Sequence, residues 1–82
     1  MKEFLYFSAT WCEPCKQYTS VLLECASTIK ITHRDVNQYP EETQKYGIKN
    51  VPTMVLLVNG QEKTRFTGVK SAAELTAIYN KY

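Results

Sequence analysis

Two cysteines three residues apart, Cys12 and Cys15, stand where an apolar run gives way to an amphipathic one. No other feature narrows the possible folds as far. Upstream, Glu3–Ser8 is aromatic and apolar and ends in the turn-prone Ser8–Thr10, the pattern of a strand. Downstream, from Glu13 to Ala26, Cys15, Tyr18, Leu22 and Cys25 recur at the i, i+3, i+7 spacing of a helix stripe, while Lys16, Ser20 and Glu24 share the wet face. Pro14 falls in the first turn, where its missing N–H is not needed. Cys12 therefore belongs at a helix N-terminus. Free backbone N–H groups and the helix dipole stabilise a thiolate there and lower a cysteine pKa from about 8.5 to roughly 3.5–7.5. Cys15 lies one turn further in, so the spacing predicts an exposed nucleophile facing a more buried partner. Thiol–disulfide exchange needs such a pair, one sulfur to attack a disulfide and one to resolve the mixed disulfide.

The rest of the chain supplies a frame for that junction. Ile29–Val36 reads as a strand, though Thr32, His33, Arg34 and Asp35 make it polar. Pro40 opens a short helix whose first turn carries Glu41 and Glu42, and Gly47 closes it. Thr53–Val58 is an almost wholly apolar strand buried on both faces. Asn59-Gly60 is a favoured hairpin turn, so Gln61–Phe66 returns antiparallel. Ser71 and Glu74 form a capping box for a last helix, with Leu75, Ile78, Tyr79 and Tyr82 expected in the core. The order is β-α-β-α-β-β-α. A right-handed crossover makes the first two strands parallel neighbours, which leads to a four-stranded mixed sheet of order 2-1-3-4 flanked by three helices: an α/β fold.

Composition excludes other classes. The chain has 82 residues, 44% of them hydrophobic and 22% charged, which suits one small globular domain over 1–82 and not a disordered segment. Ten Lys and Arg against eight Asp and Glu give a net charge of +2 with no basic block, so nothing points to nucleic acid or a membrane surface. The longest apolar runs, Phe4–Phe7 and Met54–Val58, fall far short of the ~18 residues of a spanning helix and of a signal-peptide h-region. The expected location is the cytoplasm and the expected state a monomer. Three cysteines make an odd set, unlike a disulfide-stapled secreted domain. Zinc usually takes four ligands, and only Cys25 and His33 remain to join Cys12 and Cys15. Cys25 lies about 20 Å along the same helix from Cys12 at ~1.5 Å per residue, so no metal site is expected and Cys25 reads as an inert core thiol.

The segment Phe7-Ser8-Ala9-Thr10-Trp11-Cys12-Glu13-Pro14-Cys15-Lys16 resembles the active-site segment of the thioredoxin family, whose usual form is Trp-Cys-Gly-Pro-Cys-Lys. The match continues at Asn37-x-x-Pro40, Lys45-Tyr46-Gly47-Ile48-Lys49, Val51-Pro52-Thr53, Asn59-Gly60 and Gly68. The short form resembles minimal thioredoxin/glutaredoxin-like proteins of phage or archaeal type. The resemblance implies a thioredoxin-like fold lacking the first strand and helix of a full-length member, with Ile29–Val36 as an edge strand whose polar residues resist sheet-to-sheet pairing. It implies a cis peptide at Val51-Pro52 and a substrate groove of Trp11, Pro14, Val51, Pro52 and Gly68, where an extended segment adds as a strand. The implied activity is reduction of protein disulfides, with Cys12 attacking and Cys15 resolving and no bound cofactor. The implied partners are thioredoxin reductase as donor and proteins such as ribonucleotide reductase as acceptors.

Three positions depart from the family and are candidates for tuning the redox pair. Glu13 replaces the usual Gly. Tyr6 falls where the family places a buried carboxylate beneath the second cysteine, and His33 where it places a lysine. A phenol with a pKa of about 10 cannot serve as a base near neutrality, and His33 on an edge strand is expected to be a solvated side chain and no proton carrier. Two other readings remain. A glutaredoxin using glutathione usually carries Cys-Pro-Tyr-Cys and a late Gly-Gly-x-Asp, whereas this chain has Cys12-Glu13-Pro14-Cys15 and Thr67-Gly68-Val69-Lys70. A non-enzymatic thioredoxin-like subunit of a partner complex would keep the fold and the groove without turnover.

Overall fold

In the computed structural model, which describes all 82 residues, the elements follow the expected order. They are β1 (Lys2–Ser8), α1 (Glu13–Cys25), β2 (Ile31–Asp35), α2 (Pro40–Lys45), β3 (Thr53–Val58), β4 (Gln61–Thr67) and α3 (Ala72–Lys81). The sheet order is β2-β1-β3-β4. β1 runs parallel to β2, with Tyr6 opposite His33, and antiparallel to β3, with Tyr6 opposite Met54. β3 and β4 form the hairpin, shifted in register between Leu56 and Leu57.

β1 and β3 are apolar at successive positions because both of their faces are covered. Phe4, Tyr6, Met54 and Leu56 point into a cluster with Tyr18, Leu22, Cys25 and Leu75, the buried faces of α1 and α3. Leu5, Phe7, Val55 and Leu57 point the other way, where Val36, Tyr46 and Ile48 pack on them. Each such side chain contributes roughly 1.5–3 kcal/mol by leaving water. The central strand is thereby held from both sides, and its C-terminal end at Ser8 delivers the chain to the start of α1.

Two details differ from the expectation. β2 begins at Ile31, not Ile29, because the amides of Thr28 and Ile29 turn back to the Cys25 carbonyl at 3.1 and 3.0 Å and close α1 instead. Tyr82 is not in the core: it lies past the end of α3 and is 44% exposed, leaving Leu75 as the one fully covered residue of that helix, with Ile78 and Tyr79 packed beside it. The capping box is present, Ser71 Oγ accepting the Glu74 amide at 3.1 Å. One buried group stays unmatched. The Tyr18 hydroxyl has no hydrogen-bond partner, although the backbone of Lys70 approaches it.

Candidate active site

The site is built where β1 ends. Ala9 is buried, and the Cys12 amide donates to its carbonyl at 3.2 Å, turning the chain towards α1. Cys12 is the N-cap of α1 with extended backbone (φ −92, ψ 110). Its Sγ accepts the Cys15 amide at 3.2 Å, and its carbonyl accepts the Lys16 amide at 3.3 Å to begin the helix. Cys12 and Cys15 are joined as a disulfide across a Cα separation of 5.3 Å.

The expected contrast in exposure is absent. Cys12 is 4% and Cys15 is 6% exposed, because both pack with Ala9, Val36 and Val51. What separates the two sulfurs is hydrogen bonding. Cys12 occupies the capping position and receives a backbone N–H, whereas Cys15 lies inside the first turn. An N–H donated to a thiolate is a charge-assisted bond, stronger than the same bond to a neutral thiol, so the cap favours ionisation of Cys12.

In front of the pair lies a groove of about 290 Å³ lined by Trp11, Val36, Ile48 and Val51, with Thr43, Lys49 and Asn50 at its rim. Trp11 is 67% exposed, an indole left open to solvent. Val51-Pro52 is a cis peptide. Pro14, Pro52 and Gly68 do not line this groove. Pro14 is exposed and Pro52 is buried, while Gly68, at φ +85, donates its amide to the Pro52 carbonyl at 3.0 Å. Gly68 thus ties down the turn at Pro52. Val36 and Ile48, which the sequence reading placed at a strand end and in a family-like segment but not in the groove, form walls because the loops after β2 and α2 are brought against Trp11.

Behind the pair the three departures from the family pattern fall around the α1 N-terminus. The Tyr6 hydroxyl donates to the Cys15 carbonyl at 3.3 Å, and burial, helped by the neighbouring Tyr18, pushes its pKa up to about 12. The Tyr6 ring meets Tyr18 and His33 edge-on, at centroid distances of 5.4 and 5.3 Å. A cleft of about 190 Å³ runs between Tyr6, Cys15, Lys16 and His33, and no carboxylate lines it. Glu13 points to solvent and pairs with Lys16 at 3.1 Å. Cys25 is apart from all of this, its buried thiol donating to the Val21 carbonyl at 3.4 Å, with its pKa raised by burial. No three His, Cys, Asp or Glu side chains gather where they could hold a metal ion. No helix is long and apolar enough to cross a membrane.

A capped cysteine bonded to a partner one turn on, with a cis-proline turn beside it, is a frame that other proteins share. A family model described as Thioredoxin matches residues 2–81. The chain belongs to the thioredoxin family. It is 34% identical over 79 residues to a thioredoxin of Chlamydia caviae, covering 93% of this chain and 78% of that one. A bifunctional thioredoxin reductase/thioredoxin of Mycobacterium leprae is 38% identical over 73 residues, which is 84% of this chain and 16% of that protein. Among solved structures, a thioredoxin variant from Halobacterium salinarum superposes with a TM-score of 0.91 at 25% identity, covering 99% of this chain and 74% of that one. The chain is a thiol–disulfide oxidoreductase, and its redox couple is the Cys12–Cys15 pair.

Two outcomes follow from this surrounding. Glu13 carries a negative charge on the residue next to Cys12, which disfavours the thiolate and makes the pair more reducing, an influence that solvent exposure and the ion pair with Lys16 partly cancel. Redox titration of Glu13→Gly should give a higher potential by about 10–30 mV, and Lys16→Gln should shift it the opposite way. Tyr6 governs alkaline stability. The unfolded chain loses this phenol's proton near pH ~10 and the folded one only near 12, so stability is intact below pH ~10 and falls as pH rises between these values. Urea unfolding of the oxidised protein should lose about 2–3 kcal/mol from this group over that window. Tyr6→Phe should remove that part of the loss, keep the share due to Tyr18 and Cys25, and lower neutral stability by about 1 kcal/mol through the missing hydrogen bond.

Proposed function

We propose that Cys12 is the attacking thiolate and Cys15 the resolving thiol of a protein-disulfide reductase. The single observation that carries this assignment is the Cys15 amide donated to Cys12 Sγ at the start of α1. The Cys12 thiolate attacks one sulfur of a substrate disulfide, forming a mixed disulfide and releasing the other sulfur as a thiolate. Cys15 then loses its proton and attacks the Cys12 sulfur. That step closes the Cys12–Cys15 disulfide and releases the second substrate sulfur, so two electrons have passed to the substrate. The substrate lies along Trp11 and Val51, pairing its backbone with the chain before Pro52 in the manner of strand addition.

Reducing equivalents come from a thioredoxin reductase acting in the cytoplasm, and the protein works as a monomer with no bound cofactor. The Mycobacterium leprae relative, whose name joins the two activities in one chain, supports that pairing. Disulfide-bearing proteins such as ribonucleotide reductase are the class of acceptor. Two groups tune the redox pair, Glu13 by its charge on the residue after Cys12 and Tyr6 through the Cys15 backbone. Tyr6 holds the Cys15 carbonyl and is too weak an acid to serve as a base near neutrality, since its pKa is about 12. His33 is exposed on β2, so the Cys15 proton passes to solvent through the rear cleft.

Reduction of insulin with a thioredoxin reductase and NADPH should proceed with the parent protein and stop in Cys12→Ser. Replacing the reductase by glutathione and its reductase should give little turnover, and the opposite result would make the protein a glutaredoxin. Loss of all turnover with both donors would leave a non-enzymatic subunit. In the same assay His33→Gln should lower the rate less than about threefold, far from the ~10²–10⁴ of a lost general base.

A further inference from the structure

Charge along the groove is one-sided. Lys49 is the only charged residue that lines it, and it takes part in no ion pair. Two acids on the neighbouring elements are in ion pairs, Glu13 with Lys16 at 3.1 Å and Glu42 with Arg34 at 2.8 Å. Asp35 accepts the Asn37 amide at 2.8 Å and keeps its charge, but does not line the groove. Lys45, one turn before, lies 5.5 Å over the Tyr46 ring and adds positive charge at the same end of α2. Glu41 is left as the one exposed acid of α2 without a partner, and it does not line the groove. Lys49 stands two residues before Val51, whose backbone is the edge offered to a substrate strand. An extended chain laid against that edge repeats every ~3.3 Å, so residues within two or three of its cysteine reach Lys49.

We infer that Lys49 selects among substrates, favouring protein disulfides whose flanking segment carries carboxylates and disfavouring those flanked by lysine or arginine. This rests on the reading of Trp11 and Val51 as the substrate surface. The ammonium attracts the acidic segment as it approaches and holds it beside the indole while Cys12 attacks. A charge at a solvent-facing rim acts mainly on the association step and is weakened by salt. The reaction itself is unchanged: the substrate disulfide gains two electrons and two protons, and Cys12 and Cys15 give up both.

The test uses three peptides, each closed by one internal disulfide and identical except for the two residues on either side of each cysteine. Those residues are Glu in one, Gln in the second and Lys in the third. Pre-reduced protein, freed of its reductant, is mixed with each peptide, and the thiols released are measured after acid quench. The Glu peptide should react about threefold faster than the Gln peptide, and the Lys peptide about threefold slower, the size expected of a charge pair screened by water. The spread should shrink at about 0.5 M salt. In Lys49→Glu the order of the Glu and Lys peptides should reverse, and in Lys49→Gln it should flatten. An unchanged order in Lys49→Glu, or a spread that ignores salt, overturns the inference while leaving the reductase reading intact. If the parent fails to reduce even the Gln peptide, the reductase reading falls and takes this inference with it.

Discussion

The hydrogen bond from the Cys15 amide to Cys12 Sγ is the interaction on which the rest of the site depends. It exists only because β1 stops at Ser8 and the chain turns through Ala9 into the first turn of α1. The N-terminal amides of a helix have no partner within the helix, and here one of them is satisfied by a sulfur. A side chain that caps a helix as a neutral acceptor does so more strongly as an anion. The local structure that starts α1 and the hydrogen bond that would stabilise a Cys12 thiolate are thus one geometric fact. Pro14 contributes by fixing the turn without needing an N–H of its own.

Holding that turn in place is the work of the sheet. β1 is buried on both faces, with Phe4 and Tyr6 under α1 and α3 and Leu5 and Phe7 on the side of α2. A strand packed in this way has little freedom to slide, since a one-residue slip would exchange its two faces. Its C-terminal end is therefore a fixed platform for the cap. β3 sits next to it and ends its loop at the cis Val51-Pro52 peptide, which Gly68 ties down through the Pro52 carbonyl. The apolar cluster of Ala9, Cys12, Cys15, Val36 and Val51 joins the two platforms. Both cysteines are covered as a result, and the groove beside Trp11 shares Val36 and Val51 with the cluster that covers them.

The two sides of the redox pair differ in kind. The front is apolar with one free ammonium at its rim. The rear is a cleft between α1 and the edge strand β2, where an aromatic residue, Tyr6, replaces a buried carboxylate. Tyr6 keeps a hydrogen bond to the Cys15 backbone but brings no charge. Removing a buried acid lessens the electrostatic strain of the site, because an ionised carboxylate in such surroundings is costly. The open cleft and the replaced acid are two aspects of the same arrangement.

Local patterns in the chain determined much of this. The helix stripe through Cys15, Tyr18, Leu22 and Cys25, the double-faced strands, the hairpin at Asn59-Gly60 and the Ser71 capping box are all short-range signals. They led to the element order, the sheet order and the redox pair, since periodicity and capping depend on neighbours within about one turn or one strand. Tertiary structure alone decided the remainder. The equal burial of Cys12 and Cys15 comes from Val36 and Val51, which no local rule connects to them. The groove walls at Val36 and Ile48 arise from loops that meet only after β2 and α2 have docked. The backbone of Gly68 meets that of Pro52 through a hydrogen bond that no local pattern announces, while Tyr82 was expected in the core and is left beyond the last turn of α3. A side chain's period along the chain determines which face it takes. What covers that face depends on segments distant in sequence, and only packing brings them there.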